Sequence, residues 1–405
     1  MTSPRAIVVA DDLTGAADAG APFAAAGFAT AVPLRATPTG AEVIALSNGT
    51  RDASADRIEG LFKQSMALLP AADSRTLWYA KVDSVFRGHP GPQIAFLLRQ
   101  TGRRAVVIAP ALPDQGRMTV DGDVYVDDII LTESPFGIGR STASVVELLG
   151  LPDDLGRSVE LATVRAGAES VRSAIAHMIR PIVTVDAETN ADLATLAEAV
   201  IDTTDHLLAG SAGFSKQLAH RLGMRDGRSP ASGLAQPAKT VLTVAGSRHA
   251  SSGRQVAALE RSGVETLRLN FERGHLDAAI TERTIERISK ALDERRSFTL
   301  TTSDTPNSSL PGAEIARALA ALATDPRIRD RYDAMILTGG DVAGAVVDRL
   351  EADAIWLGGD VLPAIPWGTL EGGLRPGLPM VTKAGSFGAD TAMVDSVAFL
   401  TQITN

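Results

Sequence analysis

Short apolar runs rich in β-branched residues recur along this 405-residue chain, and between them lie longer stretches of helical periodicity. No other property of the sequence restricts the fold as much. Strands buried on both faces read as continuous apolar runs, and a helix must carry the chain back between parallel neighbours. The runs predict strands at 5–10, 43–47, 77–81, 105–109, 182–186, 240–245, 266–270, 298–302, 334–338, 354–357 and 380–383. Helical patterns cover 53–69, 191–203, 251–262, 281–294 and 312–323. The fold class is therefore α/β: mostly parallel sheets flanked by helices, with ligands expected in the loops at the carboxyl ends of the strands.

The segment 221–239, rich in Gly, Pro and Ser and without a sustained apolar period, is the best place to divide the chain. Two domains follow, 1–225 and 240–405, joined by a linker at 226–239. Each is long enough for its own core, and a cleft between them is the expected active site.

Composition narrows the chemistry. Lys and Arg number 39 against 48 Asp and Glu, a net charge of −9 that disfavours binding to nucleic acid. The absence of cysteine excludes disulfides, thiolate metal sites and cysteine nucleophiles. The first apolar run, 6–10, is five residues long and is followed by Asp11 and Asp12. That is too short and too acidic behind for a leader or a membrane span, so a cytoplasmic protein without membrane contact is expected.

Several strand ends carry candidate chemistry. In VVADDLTGAADAG (8–20), Asp11 and Asp12 fall where a strand becomes a helix, so one can cap the helix while the other stays free to meet a hydroxyl. In YAKVDSVFRGHPGPQI (79–94), Lys81, Asp83, Ser84 and Arg87 place two cations, an acid and a hydroxyl within about ten residues, either an anion grip or a plain ion-pair cluster. Arg51 in SNGTRD (47–52) is a further anion contact, and His89 reads as a loop histidine. The stretch 109–128 reads as a long functional loop rather than a hairpin, with Arg117 meeting a phosphate or pairing with Asp114 or Asp121.

The second half repeats a strand, small turn and helix start three times. Gly246, Ser247 and His249 form the first turn, Gly339, Gly340, Asp341, Val342 and Ala343 the second, and Lys383 with Gly385 the third. Exposed N–H groups at helix starts favour phosphates, and glycines let a nucleotide lie against the backbone. A P-loop, the protein-kinase signatures, H-E-x-x-H, G-x-S-x-G and G-x-G-x-x-G are all missing, and the histidines show no zinc spacing, so no protein metal site is expected.

Taken in order, ADDLTGAADAG, KVDSVFRG, PALPDQGRMTVDGDVYV, the Gly-Ser turn at 246–247, TGGDVAG and TKAGSFGAD resemble the four-carbon acid sugar kinase family from about residue 5 to about 397. The resemblance implies an N-terminal sugar-acid-binding domain, a C-terminal nucleotide-binding domain, and ATP-dependent phosphorylation of the terminal hydroxyl of a tetronate such as threonate, erythronate or 3-oxo-tetronate. It places the sugar acid at Asp11 or Asp12, Arg51, Lys81, Asp83, Ser84 and Arg87, and ATP at the loop after Gly246, at 340–343 and at Gly385. The chain departs from the family in having His249 and Ser252 after the Gly-Ser turn, and Ala384 before Gly385. The expected mechanism is in-line phosphoryl transfer, with Arg51, Lys81 and Arg87 on the substrate carboxylate and the moving phosphoryl. Asp12 orients or deprotonates the hydroxyl, with Asp83 next in line, and Mg²⁺ bridges the phosphates through Asp341 or water. A nicotinamide-dependent sugar-acid dehydrogenase and a non-catalytic sugar-acid sensor are the alternatives. Oligomeric state stays open, a homodimer being one option.

Overall fold

The computed structural model describes residues 3–178, 180–226, 234, 236–271, 276–302 and 310–402. They form two compact units, Met1–Pro33 with Thr39–Ala231, and Leu34–Pro38 with Ser232–Asn405. The linker expected at 226–239 lies largely outside the described residues, at 227–233 and 235.

The first unit contains β1 (Ala6–Ala10), α1 (Leu13–Ala25), β2 (Thr30–Pro33), β3 (Val43–Ser47), α2 (Ala55–Met66), β4 (Leu77–Lys81), α3 (Pro90–Thr101) and β5 (Ala105–Ala109). A small antiparallel sheet of β6 (Arg117–Val120), β7 (Asp123–Val126) and β8 (Ile129–Ile130) follows. The remaining elements are α4 (Val145–Leu148), β9 (Gly156–Val159), α5 (Leu161–Arg165), α6 (Ala168–Ala176), β10 (Ile182–Val185), α7 (Asn190–Val200), β11 (His206–Gly210) and α8 (Ala212–Arg225). Eight strands run parallel in the order β2-β3-β1-β4-β11-β5-β10-β9. Strand β1 is buried along its whole length, as its AIVVA sequence demands of a strand covered on both faces. The chain first builds outward from β1 through β2 and β3, then returns to lay β4 on the other side. That reversal opens a crevice at the carboxyl ends of β1 and β4.

The second unit contains β12 (Val241–Ala245), α9 (Ala250–Arg261), β13 (Glu265–Leu269), α10 (Ala278–Asp293), β14 (Phe298–Thr302), α11 (Gly312–Ala323), β15 (Ala334–Thr338) and α12 (Gly340–Arg349). It ends with β16 (Ala354–Leu362), β17 (Ile365–Glu371), β18 (Pro379–Lys383) and α13 (Ala392–Thr401). Its order is β13-β14-β12-β15-β18-β17-β16, parallel as far as β18 and antiparallel beyond it. Here the reversal falls between β12 and β15, with Val241, Ile336 and Val381 in the core beneath. Among the described residues no helix is long and apolar enough to cross a membrane.

Three expectations need correction. The stretch 109–128 is no open loop: β6 and β7 pair as a hairpin turned by Asp121 (φ 53°) and Gly122 (φ 81°). An Asp-Gly pair with both residues at positive φ matches the right-handed twist of a two-residue hairpin. Arg117 pairs with neither Asp114 nor Asp121. It donates to the Gln115 carbonyl and lies 5.0 Å over the Phe136 ring, while Asp114 holds Lys216 at 3.0 Å. Finally, the strand expected at 354–357 runs on through Gly358 and Gly359 to Leu362, because β17 supplies an antiparallel partner.

Candidate active site

In the first unit the loops after β1, β3 and β4 meet at the crevice. Asn48 N–H donates to the Ala10 carbonyl at 2.9 Å and Arg51 N–H to the Asp11 carbonyl at 3.2 Å, which fixes the β3 loop against the β1 loop. Asn48 Oδ1 accepts from the Thr50 N–H and hydroxyl, at 3.1 and 2.7 Å, and its amide donates to Gln93 Oε1. The Gln93 amide in turn donates to the carbonyls of Val9 and Lys81, both at 3.0 Å. Buried polar groups are satisfied by one another, so the loops hold their shape before any ligand arrives.

On this frame Arg51 threads three carboxylates. It donates from Nε and Nη2 to the two oxygens of Asp11, at 2.8 and 2.6 Å, and its Nη1 stands 3.4 Å from both Asp12 and Asp83. Arg87 holds Asp83 Oδ2 with Nε and Nη2 at 3.1 and 2.6 Å. Asp83 Oδ1 accepts the N–H groups of Val85 and Arg87, so the Asp83 side chain also shapes its own turn. Gly88 closes the cluster with φ +79°, and a Cβ there would stand 2.5 Å from Asp11 Oδ2.

The two adjacent aspartates divide the work differently from the expectation that one stays free. Asp12 caps α1, accepting the Gly15 N–H at 2.6 Å and the Thr14 hydroxyl at 3.2 Å. Asp11 is held by Arg51. Burial disfavours charge on Asp83, but Arg87, Arg51 and Lys81 outweigh it and keep the carboxyl well below its ordinary value. Burial also opposes the charge on Arg51, and Asp12, Asp11 and Asp83 push its value above that of a free guanidinium. Lys81 and Ser84 are buried at the same place, with Lys81 Nζ donating to the Val82 carbonyl at 3.1 Å.

In the second unit the loops after β12, β15 and β18 are stitched together. Gly339 N–H donates to the Lys383 carbonyl at 3.0 Å, and Gly246 N–H to the Thr338 carbonyl at 3.3 Å. Gly339 has φ +100°, and a Cβ at Gly246 would meet Val342 Cγ2 at 2.4 Å. A Cβ at Gly385 would lie 1.9 Å from Ser247 Oγ, so these two loops touch only because 385 is glycine. Lys383 is fully buried, its Nζ donating to the Ala384 carbonyl at 2.9 Å, and burial pushes its ammonium down to about 7. An anion placed beside this side chain would favour its charged form.

The departures from the family pattern resolve locally. His249 caps α9, its Nδ1 accepting from the Ser251 N–H at 3.3 Å, and Ser252 donates to the Gly385 carbonyl at 2.9 Å. Ser247 Oγ accepts the His249 N–H at 3.2 Å. Gly340 and Asp341 begin α12, whereas the Val342 and Ala343 side chains are buried in the core and leave only backbone for a ligand. Sequence reasoning passed over Asn48, Gln93 and Gly88, which build the frame, and Asp18, a buried carboxylate in the second turn of α1. The last had a readable signal: it is the one charged residue in LTGAADAGAPFAA.

Residues 6–218 match the model of a sugar-binding N-terminal domain, and residues 242–393 that of a nucleotide-binding C-terminal domain. The D-threonate kinase of Bordetella bronchiseptica is 31% identical over 410 residues, covering 97% of each chain. The chain belongs to the four-carbon acid sugar kinase family. Other members similar to it include the 3-oxo-tetronate kinase of Methylobacterium radiotolerans, 27% identical over 94% of this chain and 95% of its own, and the D-erythronate kinase of Heliobacterium modesticaldum, 26% identical over 98% of both. The crystal structure of a Salmonella typhimurium LT2 protein, 21% identical, shares the fold with a TM-score of 0.79 over 96% of this chain and 98% of that one. In this family member the charged cluster lies within the sugar-binding match and the stitched glycine loops within the nucleotide-binding match.

Proposed function

We propose that the protein is an ATP-dependent kinase that phosphorylates the terminal hydroxyl of a four-carbon sugar acid, with D-threonate the first candidate. Residues 1–225 bind the sugar acid and 240–405 the nucleotide, joined through 226–239. The observation that carries this reading is the convergence of Arg51, Lys81 and Arg87, interleaved with carboxylates, at the carboxyl ends of β1, β3 and β4. Guanidinium forks suit a carboxylate, and carboxylates suit the hydroxyls beside it. A molecule carrying one carboxylate and several hydroxyls matches both.

Phosphoryl transfer asks for positioning and charge neutralisation rather than covalent chemistry. Arg87, whose side chain is 47% exposed, and the buried Lys81 take the substrate carboxylate and the transferring phosphoryl. Arg51 fixes Asp11, Asp12 and Asp83. Asp12 and Asp83 orient the attacking hydroxyl, and Ser84 lines the same turn. On the nucleotide side, Ser247, the backbone of 246–249 and 339–343, Gly385 and Lys383 hold the phosphates. The donor set there suits Mg²⁺ bound chiefly by phosphates and water: Asp341 offers one hard carboxylate, and no group of three or more metal-ligating side chains occurs among the described residues. When bound, Mg²⁺ neutralises charge on the phosphates.

The test is ADP release from MgATP with D-threonate, D-erythronate and 3-oxo-tetronate, run beside the same acids with NAD⁺ while following reduced nicotinamide. ADP release with at least one acid supports the kinase. Nicotinamide reduction without ADP release replaces it with the dehydrogenase, and melting-temperature shifts without either product replace it with a sensor.

A further inference from the structure

We propose that Arg140, in the segment that follows the small antiparallel sheet, is a positioning residue: acting through the backbone of Phe86, it holds Arg87 where the sugar acid is bound. The proposal rests on the kinase reading, which gives Arg87 to the substrate, and extends it to a part of the fold outside the three charged loops.

The backbone of Phe86 carries the reason. Its φ is 57°, in the left-handed region that a bulky side chain rarely enters. Such a conformation persists only where the surroundings hold it firmly, and it gathers at sites with a function. The turn is wound around Asp83, whose carbonyl accepts the Phe86 N–H at 2.9 Å. Asp83 Oδ1 accepts the Arg87 N–H at 3.3 Å, and Oδ2 accepts from Arg87 Nη2 at 2.6 Å. With Phe86 left-handed, the backbone and the guanidinium of Arg87 both return to one carboxylate, and Gly88 follows at φ +79° beside Asp11.

Two contacts hold Phe86 in this conformation. Its side chain is buried in the same core as Val124 and Val126 of β7 and Leu131, with Phe136 packed against that core. Its carbonyl accepts a hydrogen bond from Arg140 Nη2 at 3.0 Å, and a charged donor makes the stronger kind of hydrogen bond. Three successive turns place Arg140. The Ser134 N–H donates to the Leu131 carbonyl at 3.1 Å, the Gly137 N–H to Ser134 at 3.0 Å, and the Arg140 N–H to Gly137 at 2.9 Å. The coil is so tight that a Cβ at Gly137 would stand 1.8 Å from the Leu131 oxygen. Without the Arg140 bond the Phe86 peptide is free to leave the left-handed region, and Arg87, the next residue, moves with it.

The experiment measures kcat and KM for MgATP and for whichever of D-threonate, D-erythronate and 3-oxo-tetronate the wild type phosphorylates fastest. The variants are Arg140→Ala, Arg140→Lys, Arg87→Ala and the double variant with alanine at both positions. Arg140→Ala is expected to raise KM for the acid by about fivefold or more while KM for ATP stays within about twofold, and Arg140→Lys, which keeps a charged donor, to recover most of the loss. Because Arg140 acts through Arg87, the double variant should match Arg87→Ala in kcat/KM within about twofold. The proposal is overturned by an Arg140→Ala effect on the acid smaller than fivefold, by an equal loss for both substrates, or by a loss that persists undiminished once Arg87 is alanine. If Arg140→Ala does not fold, Arg140→Met, which keeps the aliphatic stem without a donor, takes its place under the same criteria. A wild type that releases no ADP with any of the acids ends the kinase reading by itself. Calorimetric binding of the acids to the same proteins then decides this proposal by the same fold-changes, and a wild type that binds none of them overturns it as well.

Discussion

The Arg51 guanidinium binds Asp11 through both of that carboxylate's oxygens, at 2.8 and 2.6 Å, while its third nitrogen faces Asp12 and Asp83. A lysine has the charge but not the planar fork that binds Asp11 with two nitrogens while a third faces Asp12 and Asp83. Arg51→Lys is expected to lower kcat/KM for the sugar acid by about 100-fold and to destabilise the fold by about 3 kcal/mol, since it leaves buried carboxylates without partners. Steady-state kinetics and urea unfolding check this, and a variant within threefold and 1 kcal/mol of wild type contradicts it.

The touching loops of the second unit make a separate prediction. A methyl group at 385 would stand 1.9 Å from Ser247 Oγ and 2.8 Å from its Cβ, so Gly385→Ala must push the β12 and β18 loops apart. ATP affinity is expected to fall by about tenfold or more, with binding of the sugar acid unchanged. Adding Ser247→Gly removes the clash. Calorimetry of the single and double variants tests the idea, which fails if the alanine alone leaves ATP binding intact.

Under the proposed function, Lys383 is expected to tie nucleotide affinity to pH. Its ammonium is pushed down to about 7 by burial, so in the free protein it is mostly neutral at pH 8. Phosphate oxygens favour the charged form, so ATP binding at pH 8 takes up a proton and weakens as pH rises from 7 to 9. Calorimetry in buffers of different ionisation enthalpy reads the uptake directly. Lys383→Met is expected to abolish it, and an uptake that persists in that variant assigns the effect elsewhere.

Asp18 makes a stability prediction of opposite sense to most buried substitutions. Its value in the fold, about 6, lies above the unfolded 3.8, so the folded state holds the extra proton and loses stability as pH rises from about 4 through 6. Asparagine imitates the protonated form. Asp18→Asn is therefore expected to melt a few degrees higher than wild type at pH 7.5 and at the same temperature near pH 4. Thermal melts at the two pH values decide, and a lower melting temperature at pH 7.5 refutes the argument.

The sequence disclosed those parts of the fold that depend on continuous burial. Leu77–Lys81, Ala105–Ala109, Phe298–Thr302 and Ala334–Thr338 coincide with the expected strands because each is a short run dominated by apolar, aromatic or β-branched residues. Strands held by a neighbour's pairing were not readable. Thr30–Pro33 ends in proline, Gly156–Val159 carries Arg157 at its centre, and Ile365–Glu371 is interrupted by Pro366 and Gly368. At the candidate site, residue types marked three loops that the fold brings together, yet two assignments depended on geometry that spacing does not encode. Which of Asp11 and Asp12 caps the helix follows from backbone torsions, with Asp12 at φ −141° and ψ 167°. That Arg51 reaches both Asp11 and Asp83 follows from β1 lying between β3 and β4. His249 and Ser252, too, were legible as polar loop residues but not as a cap and a strap.

The interleaving of arginines and aspartates has a consequence for competition. Asp11, Asp12, Asp18 and Asp83 are matched by Arg51, Lys81 and Arg87, with Arg117 also sensing Asp83, so the cluster holds no large surplus of positive charge to draw in an anion from solution. Under the proposed function, an arriving carboxylate would exchange for an aspartate already in place, and the hydroxyls that follow it would satisfy the aspartate so displaced. Sulfate, phosphate and simple dicarboxylates bring no such donors. They should compete poorly against a sugar acid of the same charge, and selectivity in this domain falls to the hydroxyl pattern of the ligand.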